Sequence, residues 1–304
     1  QGSDGQVLTS TGSGVAWEDG GGGGVTFKEG GTNFTNSLMV GDDSTGTLDA
    51  ATGNTALGID VFAALTSGDN NVAVGFAAMT ALTTAYSSVA VGANALDSLT
   101  TGHSCTGVGH NSLAGVTTAN HNVGVGLNTG VALTTGNGNT AIGSNTMNSG
   151  TTALNNTVVG THSATAMTEG IGNTILGTVS AIALTTGDYN VTSGYASGYA
   201  ITTGDANICM GASAGLHITT GSNNIGIGVN ALNGLTTVSN ETAVGHNALR
   251  RLTSGSTNSA FGSEALAYMT TGQGNDAFGY TAGKSISTGG TNVVFGSFSM
   301  DSGG

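Results

Sequence analysis

Proline, the one residue without a backbone N–H, is absent from the 304-residue chain, and Lys and Arg together number only four. Charged residues make up 7%, there is one tryptophan, and the cysteines are two. Each shortage excludes something. Four cations against 17 carboxylates leave a formal charge of −13, too little positive charge to neutralise a phosphate backbone, so no nucleic-acid partner is expected. No run of about 18 apolar residues reads as a membrane span, and no basic stretch followed by an apolar one reads as a retained secretion signal, so no membrane insertion is expected. With so little charge, the surface must be built from Thr, Ser, Asn and the 55 glycines, whereas an ordinary globular domain carries about 25% charged residues.

What is abundant is repetition. Glycine recurs every 17 residues at Gly41, Gly58, Gly75, Gly92, Gly109, Gly126, Gly143, Gly160, Gly177, Gly194, Gly211, Gly228, Gly245, Gly262, Gly279 and Gly296, without an insertion or deletion. An unbroken register means that every unit follows one path and stacks on its neighbour, the signature of a solenoid or repeat fibre. We number each unit from this anchor glycine. The expected fold is all-β or mostly β, a parallel β-solenoid or β-roll of 17-residue rungs spanning residues 25–300. An N-terminal strand-turn segment and Gly-rich hinge precede it over 1–24, and a short tail, 301–304, follows.

Four residues before the anchor stands Asn54, Asn71, Asn122, Asn139, Asn156, Asn173, Asn190, Asn207, Asn224, Asn258, Asn275 or Asn292; Ser37, Ser88, Cys105 and Glu241 are the exceptions. A polar residue repeated at a corner predicts a structural ladder in which each side chain satisfies the backbone or its copy in the next rung. The next three residues, such as V-A-V or T-A-I, are β-formers and read as one short strand, which the anchor ends at a bend where Cβ would clash. Further on, A-L-x-x-L has helical spacing, with Asn or Asp two after the anchor (Asp60, Asn94, Asn111, Asn128, Asn145, Asn230, Asn247) suited to an N-cap. One helical or 3₁₀ turn per rung is therefore expected, with a second short strand as the competing reading. T-T-G then closes the unit with a turn.

Two offsets vary together. Where the residue two before the anchor is small, the one four after is large (Ala56 with Phe62, Ala73 with Met79, Ala90 with Leu96), and the reverse holds for Val158 with Ala164, Thr192 with Gly198 and Cys209 with Gly215. A conserved pair volume places both inside the rung. Gly124 with Gly130 and Val294 with Met300 break the rule, so neighbouring rungs must absorb the difference. The residue one before the anchor should then face outward, yet Leu57, Val74, Val91, Val108, Val125, Ile142, Val159, Leu176, Ile227, Val244, Phe261, Phe278 and Phe295 are all apolar. A strand apolar on both faces is buried on both, and the simplest cover for the outer one is another copy of the chain; a wide solenoid with two internal layers is the alternative, for which a 17-residue rung leaves little room. The phenylalanines at this offset, with Phe298 and Tyr280, suggest a firm aromatic plug at the C-terminal end.

The ends are atypical. Val7–Ser10 and Val15–Trp17 read as two strands around T-G-S-G, with Trp17 needing a covering surface, and Gly20–Gly24 as a hinge. This segment is expected to pack against something outside the solenoid, either upstream chain or a symmetry-related copy. Asp42, Asp43 and Asp49 make the first rung polar, as an end cap requires, and D-S-G-G at the C-terminus suggests that a further domain or partner continues the fibre.

Chemistry is sparse. The carboxylates form no paired column, so no catalysis, metal or cofactor is expected. His103, Cys105 and His121, with His110 nearby, fall at neighbouring offsets but lack a defined outer shell for a metal. Cys105 and Cys209 stand six rungs apart, about 29 Å at about 4.8 Å per rung, too far for a disulfide. The G-x-G patterns lack the strand, tight turn and long helix of a phosphate cradle. Tyr189, Tyr195 and Tyr199 are candidate glycan contacts, with Asp188 and Asp205 nearby and Tyr86 and Tyr268 as further stacking faces.

N-V-A-V-G-F-A-A-M-T-A-L-T-T at Asn71–Thr84 and N-T-A-I-G-S-N-T-M at Asn139–Met147 resemble repeats of bacteriophage tail-fibre and related trimeric fibre proteins. D-G-Q-V-L-T-S-T-G-S-G-V-A-W at Asp4–Trp17 is similar to a segment of fibres from tailed phages that infect marine cyanobacteria. The repeat is also similar to the N-S-V-A-I-G units of trimeric autotransporter adhesin heads, which form left-handed parallel β-rolls. The fibre resemblance implies a homotrimer on the virion exterior, joined to other fibre or virion proteins at the N-terminus and attaching to a glycan or protein receptor on the bacterial surface. The adhesin resemblance implies the bacterial cell surface instead, and a polysaccharide-degrading fibre enzyme is the remaining alternative. Nothing after Gly296 resembles the chaperone domain that often ends such fibres.

Overall fold

The computed structural model describes residues 33–41 and 45–301, together with the backbone of strands Gln6–Ser10, Val15–Asp19 and Thr26–Glu29. The first two of these strands pair antiparallel with Leu8 opposite Trp17, in the place of the predicted strand-turn segment. The predicted hinge, the cover for Trp17 and the acidic pair Asp42 and Asp43 lie outside the described residues.

From Leu38–Gly41 onward the chain is an elongated, all-β parallel solenoid. Each rung places one strand, usually of three residues, against the strand 17 residues away, so that Val72 pairs with Val89 and Thr140 with Thr157. The pairing runs without a slip to Asp276–Phe278 against Val293–Phe295. At its first edge, Thr26–Glu29 pairs antiparallel with Leu38–Gly41. The ladder does not close on itself: sixteen parallel strands at about 4.8 Å each hold its ends about 70 Å apart, far beyond hydrogen-bond reach.

The anchor glycines explain the fixed period. All sixteen have positive φ, between 112° at Gly296 and 145° at Gly160. The reason is close approach as well as backbone shape: a Cβ built on Gly143 would stand 2.2 Å from the Gly160 carbonyl oxygen. Each anchor thus packs its bare Cα on the peptide of the next one, which only glycine permits.

The segment after the anchor differs from the expected helical turn. Residues two and four after it both take left-handed φ, as at Asn94 (54°) and Leu96 (51°), and a right-handed helical turn cannot contain them. Nor do their N–H groups bond within the turn. Ala77 donates to Ile59 of the preceding rung and Met79 to Ala95 of the following one, at 2.9 and 3.0 Å. The Asn at the first of these offsets is therefore not an N-cap. It occupies the left-handed region that Asn tolerates, and its amide reaches along the stack from Asn94 to Asn111 (3.2 Å), Asn111 to Asn128 (3.0 Å) and Asn128 to Asn145 (3.3 Å). A second strand is not general either. It appears near the C-terminal end, where Thr271–Gln273 pairs with Thr288–Gly290, and at the opposite end, where Phe34–Thr35 pairs with Ala51–Thr52.

The core is one file of side chains per offset. Ala at the strand centre, Ala and Leu or Met of the turn, and Leu seven after the anchor are all buried, as with Ala90, Ala95, Leu96 and Leu99. The volume exchange between strand and turn is direct contact: a Cβ on Gly215 would lie 2.4 Å from Cys209 Sγ, and one on Gly198 2.8 Å from Thr192 Cγ2. The exception at Gly124 and Gly130 is filled from below, since Cβ atoms there would meet Leu113 at 2.6 and 2.8 Å. At Val294 the partner is Gly283 of the preceding rung, and Met300 is left exposed.

Candidate interaction surfaces

The buried asparagines form the longest polar column. Asn173 is typical: its N–H and Nδ2 both donate to Asn156 Oδ1 (2.9 and 3.0 Å), and Nδ2 also donates to the Gly187 carbonyl (2.9 Å). Its own Oδ1 accepts from the N–H and Nδ2 of Asn190 (2.8 and 3.1 Å). The pattern joins Asn54 to Asn71, then Asn122 through Asn139, Asn156, Asn173, Asn190 and Asn207 to Asn224, and Asn258 through Asn275 to Asn292. Ser88 and Cys105 continue the column with shorter groups; Cys105 Sγ donates to the Ala119 carbonyl at 3.4 Å, where the others place an amide. Burial pushes the Cys105 thiol up, and that of Cys209 up to about 12, so neither is a ready thiolate.

Two further ladders were missed in the sequence. Thr at the first position of T-T-G donates its hydroxyl to the carbonyl of the same Thr one rung on, as Thr83 does to Thr100 and Thr100 to Thr117. Three residues later, Asn120, Asn137, Asp188 and Asp205 accept the backbone N–H of the rung before. The periodicity of both was visible; that the hydroxyl and carboxylate are absorbed by the backbone was not.

Glu241 is the one ionisable carboxyl in the buried asparagine column. It accepts from the N–H and Nδ2 of Asn258 (3.1 and 3.4 Å), and while its backbone N–H donates to Asn224 Oδ1 (3.0 Å), it has no side-chain amide with which to donate. Burial pushes its carboxyl from the ordinary 4.5 up to about 7, against the hydrogen bonds from Asn258, which lower it. The folded chain holds this proton more tightly than the unfolded one, so its ionisation costs nothing below pH 4.5, and stability falls as pH rises to about 7 and then levels off. At about 1.4 kcal/mol per pH unit of that window, the loss is roughly 3 kcal/mol. The difference in thermal midpoint between Glu241→Gln and the parent should grow in favour of the variant from pH 4.5 to 7.5; an unchanged difference would show that Glu241 does not titrate there.

The outward face of the strands is a second column. Residues one before the anchor range from half-buried, as at Val74 and Val108, through 52% exposed at Leu57, to 80% exposed at Phe295. Ile142, Leu176, Ile227 and Phe261 are exposed, and Val125, Val159, Val244 and Phe278 half-buried. Residues one after the anchor, among them Ile59, Phe76, Leu127, Tyr195 and Val229, widen the apolar surface, a contribution that the sequence reading overlooked. The aromatic stack lies on this face: Phe261 and Phe278 are parallel with centroids 5.0 Å apart, and Phe278 meets Phe295 at 5.6 Å. It covers the outside of the rungs, whose interior at that end is Ala260, Ala277 and Val294.

No family model, curated protein or solved structure matches the chain. The functional reading therefore rests on the geometry of its own surfaces.

Tyr189, Tyr195 and Tyr199 are exposed but occupy three different offsets of one unit: before the strand, just after the anchor, and beyond the double turn. Among the described residues no ring contact joins them. His103 stacks on Tyr86 (4.5 Å) and meets His121 edge-on (5.1 Å). No group of three His, Cys, Asp or Glu side chains among the described residues could hold a metal ion, and the repeat shows no obvious catalytic machinery.

Proposed function

We propose that the chain is the shaft of a homotrimeric, non-catalytic attachment fibre, carried on the exterior of a tailed phage and binding a glycan or protein on the bacterial surface. The observation that carries this reading is the outward apolar column. It runs along the ladder, about 70 Å, interrupted at Ser193, and its flank mixes Ile59, Phe76, Leu127 and Val229 with Ser144, Thr161, Thr178 and Ser263. With flanking columns about 7 Å apart the whole face measures on the order of 1,000 Å², enough for the roughly 800 Å² per partner of a stable interface with an apolar centre and polar rim. The resemblance of the repeats to those of trimeric fibres supports three chains, and their resemblance to trimeric adhesin heads supports a left-handed winding. A bacterial surface adhesin has the same architecture, and the Asp4–Trp17 segment favours the phage.

Sedimentation equilibrium should give three times the 29.3 kDa chain mass. Lysine at two neighbouring seam positions, Val125→Lys with Ile142→Lys, should yield folded monomers with an unchanged far-UV spectrum, because both side chains point away from the rung interior. A monomeric parent chain would refute the assembly. Binding of the labelled protein to bacterial cells, without shortening of their surface polysaccharide, tests the attachment role against the enzymatic one.

A further inference from the structure

The four basic residues of the chain are unevenly placed: Arg250, Arg251 and Lys284 lie within three consecutive rungs, around Tyr268. Arg250, Ala267 and Lys284 share one offset, five after the anchor, so the small buried Ala267 leaves a notch between two cations. A cavity of about 130 Å³ opens there, lined by Asn247, Arg250, Glu264, Ala267 and Tyr268. Arg251 stands over the Tyr268 ring, 4.8 Å from its centroid, with Lys284 at 5.6 Å, so the ring is held between the two. Lys284 also pairs with Glu264 at 2.5 Å, and this bond holds the Glu264 carboxyl below its ordinary range. Among the described residues, no carboxylate forms an ion pair with Arg250. Arg250, Arg251 and Lys284 against Glu264 and Asp301, the latter also acting on Lys284, leave +1 in a chain of −13.

We propose that this notch binds an acidic sugar residue, a hexuronate of a surface polysaccharide, which deepens the attachment reading and rests on it. The carboxylate of the sugar meets the Arg250 guanidinium, whose planar fork matches it in two parallel hydrogen bonds, while Lys284, bonded to Glu264, adds only to the local positive potential. Glu264 accepts from sugar hydroxyls and Asn247 serves them as donor or acceptor. The same carboxylate sets the ligand class. It repels a phosphate dianion, which brings a single hydroxyl donor and twice the negative charge, whereas a monoanionic sugar with several hydroxyls satisfies cation and carboxylate together. Association at such a site is weakened by salt.

The test titrates the full-length protein with a galacturonate hexamer, with maltohexaose of equal length, and with inorganic phosphate, by calorimetry at low salt and again in 0.5 M NaCl. Binding of the hexuronate alone is expected, weaker in salt. Arg250→Gln should weaken it at least tenfold and Ala267→Met should abolish it by filling the notch. Thermal midpoint reports folding for both; should Ala267→Met unfold the rung, Arg250→Gln alone decides. Equal binding of maltohexaose, equal binding of phosphate, no hexuronate binding, or an unaffected Arg250→Gln would each overturn the proposal. Cell attachment is scored separately: attachment that survives Arg250→Gln removes this site but leaves the fibre reading, whereas a chain that binds hexuronate without attaching to cells removes the fibre reading alone.

Discussion

Gly143→Ala should destabilise the solenoid by about 3 kcal/mol or more, the cost of an L-residue in a disallowed region combined with overlap on a fixed peptide. Its φ is 134°, outside the regions open to an L-side chain, and the new methyl would lie 2.2 Å from Gly160 O and 2.7 Å from Gly160 C. Neither neighbour can yield, because the Gly160 N–H is itself bonded to Ile142 O at 2.8 Å and its carbonyl accepts from the Thr146 hydroxyl. Gly150, seven residues away, supplies the control. It has no left-handed φ, and a Cβ there would meet nothing closer than Met167 O at 3.5 Å, in the core file that other rungs fill with Leu. Gly150→Ala should therefore be neutral or stabilising by up to about 1 kcal/mol, since alanine also restricts the unfolded chain. Thermal unfolding of the two variants separates anchor from filler; equal effects would mean that close approach is not what holds the anchor as glycine. In an array where each rung contacts only its neighbours, hydrogen exchange should show the loss in Gly143→Ala concentrated at the rungs of residues 139–163.

The contrast between these glycines marks how far the sequence can be read. A period of 17 was enough to place the strand, the anchor and the corner asparagine, because an uninterrupted stack forces every offset into a column. The exchange of volume between Cys209 and Gly215, or Thr192 and Gly198, marks the core in the sequence itself, because close packing leaves no room for both to be large. The double turn was not legible. Its left-handed positions hold Leu96, Leu113 and Met79, even Val179, residues that local preference assigns elsewhere, and it is their bonding to the rungs above and below that outweighs a cost of roughly 1–2 kcal/mol each. The helical spacing of A-L-x-x-L was real as a burial pattern, but Ala95, Leu96 and Leu99 reach the core through two tight turns. The notch at Ala267 was hidden for a different reason: its parts lie 17 and 34 residues apart and meet only across rungs.

Asn173→Leu should be among the costliest single changes in the polar interior, on the order of 3–5 kcal/mol, as should the same change at any asparagine of the column with the same bonds. Leucine shares asparagine's branching, and although its methyl groups are bulkier, the effect comes chiefly from the orphaned partners. The Asn190 N–H and Nδ2 lose Oδ1 as acceptor, and the Gly187 carbonyl loses its donor, each in a buried setting where an unmade bond costs about 1–3 kcal/mol. Asn156 Oδ1 keeps the Asn173 backbone N–H and so loses only one of its two donors. Serine should be milder, since the chain uses it at Ser88, where the hydroxyl accepts the Cys105 N–H at 3.2 Å and donates to the Tyr86 carbonyl. The expected order of thermal midpoints is thus parent, then Asn173→Ser, then Asn173→Leu. Were leucine as well tolerated as serine, burial alone would hold the rungs together. If the order holds, the asparagine column is what makes a 17-residue rung stackable: it turns the polar backbone at the corner, which a narrow core cannot cover with apolar side chains, into a bond between each rung and the next.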